Sequence, residues 1–196
     1  MLTIESVEAV SPQAQALMTE LSARLAEITG DGGAASFDAA ALDADGGCCL
    51  LVRNAAGEAI ACGALRRLTA EVAELKRMYV REAGNGIGGY LLHALEQRAR
   101  LQGYRQLWLE TRRVNQRAVG FYLARGIGCV KTMAVIRGMR RRSASRKPCD
   151  DTAGAWPLRY AGGYCGLARV IIISNWRSGS CRQPSRSKNG AATSGT

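Results

Sequence analysis

The most informative segment of the chain is ELKRMYVREAGNGIGGYLLHALEQRARLQGYRQLWLETRRVNQRAVGFYLARG, residues 74–126. It opens as an apolar strand, passes through a loop with four glycines and continues as an amphipathic helix with Leu91, Leu92 and Leu95 on its inner face. Gly103 ends this helix, and QLWLET follows as a second strand. A strand, helix and strand in this order predict a right-handed crossover between parallel strands.

The residues that precede this segment predict the rest of a mixed sheet. Residues 2–7 alternate like a half-buried strand, and Ser11 is a candidate N-cap for a helix that reaches residue 28. Short helices are predicted near residues 37–42 and over residues 115–125. Three further runs predict an antiparallel meander: residues 48–53, 59–68 and 71–80. The predicted fold class is α/β in the broad sense (α+β), with helices flanking the sheet.

The glycine loop has the chemistry of an anion site. Backbone N–H groups at the start of a helix point outward, and the helix carries about half a positive charge at that end. Glycines also let the main chain approach a pyrophosphate closely. The loop is not a good dinucleotide-binding fingerprint, because no acidic residue stands at the end of the following strand, where it would bind the ribose. It is not a P-loop either, because no Lys-Ser/Thr follows the glycines.

This block resembles the GNAT N-acetyltransferase superfamily, whose pattern is strand, R/Q-x-x-G-x-G/A, helix. GIGGYLLHALEQRARLQGY is similar to its pyrophosphate-binding helix, and LETRRVNQRAVGFYLARG to the strand and helix that follow. The resemblance covers residues 2–126 and implies splayed central strands. In one register Ala83 takes the place of the motif's Arg or Gln, whereas Arg81-x-x-Gly84-x-Gly86 fits in another.

The resemblance implies roles for individual residues. Glu74 would act as the catalytic base and Tyr122 as the acid that protonates the coenzyme sulfur. Acetyl-coenzyme A would be bound by backbone groups of the strand end, by the glycine loop and by a helix-start asparagine: Met78, Val80, Arg81, Gly84, Asn85, Gly86, Ile87, Gly88, Gly89 and Asn115. No metal is implied.

Each role has a structural alternative. Glu74 could instead pair with Lys76 or Arg66, and Tyr122 could pack with its hydroxyl in water. Asn115 is also a good helix N-cap, which is compatible with a role in binding.

Composition narrows the function classes. The net charge is +11, but acidic and basic residues balance up to residue 126, so the whole excess lies in residues 127–196. The seven cysteines include no CxxC pair and His93 is the single histidine, which argues against zinc. Without a signal peptide pattern or a membrane span, a cytoplasmic protein is expected.

The last third does not resemble the end of a GNAT domain, which finishes with two more strands. We therefore divide the chain into a core, residues 1–126, and an irregular, largely disordered basic tail, residues 127–196. The codons that could encode residues 126–150 include a set that, when read in a shifted frame, gives the peptide HRVRENYGGYTGHAEAVCFEKAL followed by a stop codon. This peptide is similar to the missing end of a GNAT domain. A frameshift is thus a hypothesis, and it predicts an exposed edge at strand 106–111, poor solubility and impaired activity.

The sequence supports three functions. The first is direct transfer of an acetyl group from acetyl-coenzyme A to an amine of a small molecule or peptide. The alternatives are a nucleic-acid-binding protein that uses the basic tail, and a coenzyme A-binding module without catalysis. Nucleic acid is the weaker partner because the tail lacks a patterned helix or interleaved aromatics. A homodimer is compatible with the sequence, and no membrane partner is expected.

Overall fold

The computed structural model of the protein describes residues 1–130 and 168–174. Most of the basic tail lies outside these residues, including all but the first five residues of the segment with the proposed frameshift, 126–150. The described part contains seven strands, four α-helices and a 3₁₀ turn at Ala34–Ser36. The strands are β1 Thr3–Val7, β2 Cys48–Arg53, β3 Ala59–Arg67, β4 Val72–Val80, β5 Gln106–Arg112, β6 Gly128–Val130 and β7 Ala168–Ser174. The helices are α1 Pro12–Thr29, α2 Ala39–Ala44, α3 Ile87–Leu101 and α4 Gln116–Leu123.

All strands belong to one mixed sheet in the order β1-β2-β3-β4-β5-β7-β6. Strands β1 to β4 are antiparallel neighbours, which confirms the predicted meander. Strand β5 runs parallel to β4, as the α3 crossover predicts. The predicted fold class is therefore confirmed.

The sheet is covered on both faces. On one face, leucines of α3 pack on alternate residues of β2 to β5 in the larger core. On the other face, α1 and α2 cover a smaller core around Leu17, Leu42 and Leu51. The fully buried Leu91 and Leu95 come from the predicted inner face of α3. Alternation in the strands and helical spacing in the helices thus produce a three-layer arrangement.

Strand β4 contains a bulge at its middle. Cys62 pairs with Tyr79 and Ala64 with Lys76, so two residues of β4, Arg77 and Met78, oppose the single Gly63. Arg77 has a φ of 52°, in the left-handed region that is rare for a residue with a side chain. A bulge of this kind bends its strand and strengthens the local twist.

The bulge lies where β4 and β5 separate. Their parallel ladder ends at the pair Leu75 and Leu109, just before the bulged residue. Beyond this point the two strands diverge, which gives the splayed central strands that the resemblance implies. The gap between them is the natural place for a ligand, at the carboxyl ends of parallel strands.

Strand β5 is not an open edge, and the expectation of one is corrected by the structure. Strand β7 pairs with it in parallel along its whole length, from Gln106 and Ala168 to Arg112 and Ser174. The sequence of β7, ARVIIIS, has the β-branched residues that favour a strand. Strand β6 then pairs with the outer side of β7.

Helix α1 differs from its prediction in its cap. Ser11 occupies the N-cap position, but its side chain makes no capping hydrogen bond. The Ser11 hydroxyl is buried without a partner among the described residues. Within residues 1–130 and 168–174, no helix has the length and apolarity needed to cross a membrane.

Candidate active site

The first cavity lies in the gap between β4 and β5 and has a volume of about 430 Å³. We call it the split cavity. Its walls come from α1, the loop that follows α1, and the diverging strand ends. They are Leu21, Leu25, Thr29, Asp31, Gly33, Ala35, Ser36, Leu75, Lys76, Arg77, Met78, Leu109, Glu110, Thr111, Arg112, Asn115, Ala118 and Tyr122.

The second cavity, the loop cavity, has a similar volume of about 430 Å³ and runs from β4 to the start of α3. Its walls include Met78, Val80 and most of the predicted glycine loop, whereas Asn85 lines neither cavity. Six residues line both cavities: Leu21, Leu25, Met78, Asn115, Ala118 and Tyr122. The two cavities therefore adjoin at Tyr122.

The start of α3 presents free backbone donors to the loop cavity. Gly86 is the N-cap residue, with a φ of 73° that a glycine adopts without strain, and no side chain caps the helix. The N–H groups of the first turn, at Ile87, Gly88 and Gly89, have no intrahelical partner. This is the arrangement that binds phosphate groups at helix starts.

Two of the loop glycines also have a packing role that the motif does not reveal. A Cβ on Gly88 would lie 3.0 Å from the ring of Phe121, and one on Gly89 would lie 3.0 Å from the guanidinium of Arg125. Glycine at both positions lets α4 approach the first turn of α3. Arg125 stacks on Phe121, with its Cζ 3.7 Å from the ring centroid. It thereby adds positive charge beside the free N–H groups.

Arg81 lines the loop cavity, but its guanidinium is already engaged. Its Nε and Nη2 atoms donate to the Glu20 carboxylate at 3.0 and 2.6 Å, and Nη1 donates to the carbonyl of Ala59 at 2.8 Å. The bonds from Arg81 lower the pKa of Glu20. Arg81 would have to leave this carboxylate in order to bind a phosphate.

Tyr122 is buried, with 8% of its surface exposed, although it lines both cavities. Its hydroxyl donates to Met78 Sδ at 3.5 Å, and its ring packs edge-on against Phe121. Burial raises the pKa of the Tyr122 phenol, so the hydroxyl keeps its proton at neutral pH. The hydroxyl is therefore a hydrogen-bond donor at the point where the cavities meet.

Asn115 is the N-cap of α4, as one of its alternatives predicted. Its Oδ1 accepts a hydrogen bond from the N–H of Ala118 at 3.2 Å. Its side-chain NH₂ group makes no hydrogen bond to the described residues. Asn115 can thus hold the helix start and still donate to a ligand.

Glu74 lies on the face covered by α1 and α2, and it lines neither cavity. It is only 4% exposed. Its Oε2 accepts from Arg66 Nε at 2.8 Å, and its Oε1 lies 3.0 Å from Lys76 Nζ. Both oxygens are engaged by the two cations that the structural alternative named.

Glu110 is a carboxylate that the sequence reasoning did not single out. It is half-buried near the end of β5 and lines the split cavity, one residue beyond the last β4–β5 pair. No described residue forms an ion pair or hydrogen bond with its side chain. The available signal was its position at the carboxyl end of a parallel strand, where ligands bind.

The other charges of the split cavity are bound to protein groups. Arg112 pairs with Asp31 at 2.5 Å and also donates to the carbonyl of Thr29. A hydrogen bond from the Gly33 N–H and the charge of Arg112 lower the pKa of Asp31. Arg77 donates to the carbonyls of Gly32 and Gly33, and burial lowers its pKa.

Comparison with known proteins gives a consistent result. The model of the Acetyltransferase (GNAT) family matches residues 14–128. A protein from Klebsiella pneumoniae assigned as an acyl-CoA N-acyltransferase is 27% identical, with a TM-score of 0.53 over 63% of this chain and 81% of that one. A GNAT-family acetyltransferase from Staphylococcus aureus is 18% identical, with a TM-score of 0.50 over 64% of this chain and 84% of that one, a likeness in fold. A search of curated proteins finds no match.

Proposed function

Because this chain belongs to the GNAT acetyltransferase family, we propose that it transfers an acetyl group from acetyl-coenzyme A directly to an amine of a small molecule or peptide. The family uses acetyl-coenzyme A, so the coarse activity follows from membership. The direct route and the roles of individual residues are our proposal.

One observation carries the proposal: two cavities of comparable size adjoin at a buried tyrosine hydroxyl. The loop cavity has free N–H donors at one end for the pyrophosphate, and it has the end of β4, which β5 does not pair with, for the pantetheine arm. The split cavity then receives the acceptor. Holding the thioester and the amine together can contribute about 7–11 kcal/mol through effective concentration.

The chain's own residues divide the chemistry. Met78 and Val80 offer backbone groups to the pantetheine, and the first turn of α3 binds the pyrophosphate. The amine attacks the thioester carbonyl, a C–N bond forms and the C–S bond breaks. Tyr122 gives its proton to the departing thiolate and regains one from the nitrogen of the new amide. Asn115 donates a hydrogen bond near the thioester.

The test is calorimetry followed by kinetics on the full chain. We expect acetyl-coenzyme A to bind, and Tyr122→Phe to retain that binding while kcat falls by about 10²-fold, in the range for loss of a general acid. Tyr90→Phe is the matched control, because Tyr90 is exposed on α3 and lines neither cavity. Absence of binding would refute the proposal. Binding without turnover of any amine would favour the non-catalytic module instead.

A comparison with a chain that carries the restored ending tests whether the tail impairs activity. If the tail results from a frameshift, a chain carrying the restored ending should bind the coenzyme and turn over more effectively than the chain described above. Equal activity of the two chains would remove the hypothesis of impairment and leave the transferase proposal intact.

A further inference from the structure

The split cavity has one charged side chain that makes no ion pair or hydrogen bond with a described side chain or backbone group. Five charged residues line it: Asp31, Lys76, Arg77, Glu110 and Arg112. Asp31 and Arg112 pair with each other, Lys76 pairs with Glu74, and Arg77 is hydrogen-bonded to carbonyls. Of these five residues, only Glu110 has a side chain without an ion pair or hydrogen bond to residues 1–128.

We propose that the split cavity takes a primary amine on an otherwise uncharged body, and that Glu110 binds the ammonium group and accepts the proton it must lose. This inference rests on the proposed function and names its acceptor class. An alkylammonium with a pKa of about 10 is almost fully protonated at neutral pH and cannot attack. Its proton therefore needs an acceptor within the cavity.

Geometry favours Glu110 over Glu74 for this task. Glu110 lies in the same cavity wall as Tyr122, whereas Glu74 is absent from both cavity walls. The oxygens of Glu74 are engaged by Arg66 and Lys76, so an incoming ammonium would have to displace a cation. The unpartnered Glu110 can accept an ammonium without breaking any described contact.

The same walls define the rest of the acceptor. Apolar residues of α1 and of the strand ends line the same cavity as Glu110: Leu21, Leu25, Leu75 and Leu109. The cations of the cavity already donate hydrogen bonds to protein groups, so a substrate carboxylate would have to compete with those groups. A carboxylate near Glu110 would also be repelled, and like-charge contacts cost several kcal/mol.

The proton balance is complete without any further reactant. The ammonium gives one proton to Glu110, and the free amine attacks the thioester. Tyr122 protonates the leaving thiolate and is re-protonated by the amide nitrogen. Glu110 then releases its proton to water, so one proton leaves for each acetyl group transferred.

A matched pair of acceptors tests the inference in a thiol-release assay with the full chain. Phenethylamine and phenylalanine share a body and differ in one carboxylate. We expect kcat/KM to be at least about tenfold higher for phenethylamine, because 1.4 kcal/mol of repulsion corresponds to tenfold. A preference for phenylalanine, or no reaction of phenethylamine by a protein that binds acetyl-coenzyme A, would overturn the acceptor class.

Three substitutions test the carboxylate. Glu110→Gln should lower kcat/KM for phenethylamine by about 10²-fold at pH 7 and keep the Kd for acetyl-coenzyme A, since it removes a proton acceptor but no coenzyme contact. The loss should shrink as pH approaches the pKa of the amine, and Glu110→Asp should retain more activity than Glu110→Gln. Glu71→Gln, at an exposed carboxylate, is the control.

The outcomes separate this inference from the proposed function. Full activity in Glu110→Gln would overturn the role of Glu110 and leave the acetyltransferase standing. Failure of the wild-type chain to bind acetyl-coenzyme A would overturn both.

Discussion

Replacing Glu74 with glutamine tests whether this carboxylate is a structural element. Its Oε2 lies 2.8 Å from both Nε and Nη2 of Arg66, and its Oε1 lies 3.0 Å from Lys76 Nζ. The side chain of Glu74 is 6% exposed and that of Lys76 is 14% exposed. Glutamine keeps the shape but removes the charge, so it leaves two cations close together without their shared anion.

The expected loss follows from the burial of the partners. Removing one member of a buried ion pair costs about 3–5 kcal/mol. Arg66 is one-third exposed and can turn toward water, so we lower the expected loss to about 2–4 kcal/mol. For a chain of this length, a loss of about 3 kcal/mol corresponds to a fall in Tm of about 6–12 °C.

Urea denaturation followed by circular dichroism measures the free energy of unfolding. Glu71→Gln is the control, because its pair with Arg105 is exposed and spans 4.0 Å, and should cost less than about 0.5 kcal/mol. Glu74→Met combined with Lys76→Met should recover much of the loss, since it removes a cation along with the anion. A loss for Glu74→Gln no larger than that for Glu71→Gln would show that the Glu74 ion pairs do not stabilise the fold.

Two other predictions concern the sheet interior, and each has a direct measurement. Gly63→Ala should destabilise the chain by about 1–3 kcal/mol in urea titration, because its Cβ would lie 2.7 Å from Leu95 Cδ1 in a filled core; an unchanged midpoint would contradict this. Burial raises the pKa of Cys49 to about 12 and also raises that of Cys62, whereas unfolded thiols ionise near about 8.5. The thiols therefore contribute stability in full below about pH 8.5 and lose it as pH rises toward 12, so Cys62→Ala should flatten the alkaline fall in unfolding free energy. An equally steep fall in the variant would exclude this thiol as a source.

Much of the fold could be predicted because local patterns and tertiary packing agree. The meander, the inner face of α3 and the parallel β5 follow from spacing and turn residues alone. Asn115 at the start of α4 was recognisable as a cap because its side chain has the required acceptor. Ser11 has the same chemistry but is not used in this way.

The bulge and Glu110 were harder to predict because each depends on a neighbour distant in sequence. In β4, the residues that face the larger core are Ala73 and Leu75 before the bulge, and Met78 and Val80 after it, so the alternation shifts by one residue. This shift is visible in the sequence, but the prediction of β4 did not use it. The glycine that accommodates the bulge is across the ladder in β3. Glu74 and Glu110 are both glutamates on strands, so the sequence does not show which one is free to act on a ligand. In the structure, Arg66 and Lys76 pair with Glu74. The sequence did not predict β7 as the partner of β5, because β7 begins at residue 168, far from β5 along the chain.

The gap between β4 and β5 begins near the point where the alternation along β4 shifts by one residue. Ala73 and Leu75 before the bulge, and Met78 and Val80 after it, all face the larger core, so Arg77 is one supernumerary residue in an otherwise regular strand. In a chain without Arg77, the side chains of β4 would alternate strictly between the two faces of the sheet. We would then expect β4 and β5 to pair beyond Leu75 and Leu109. The gap between β4 and β5 would thus depend on a single inserted residue.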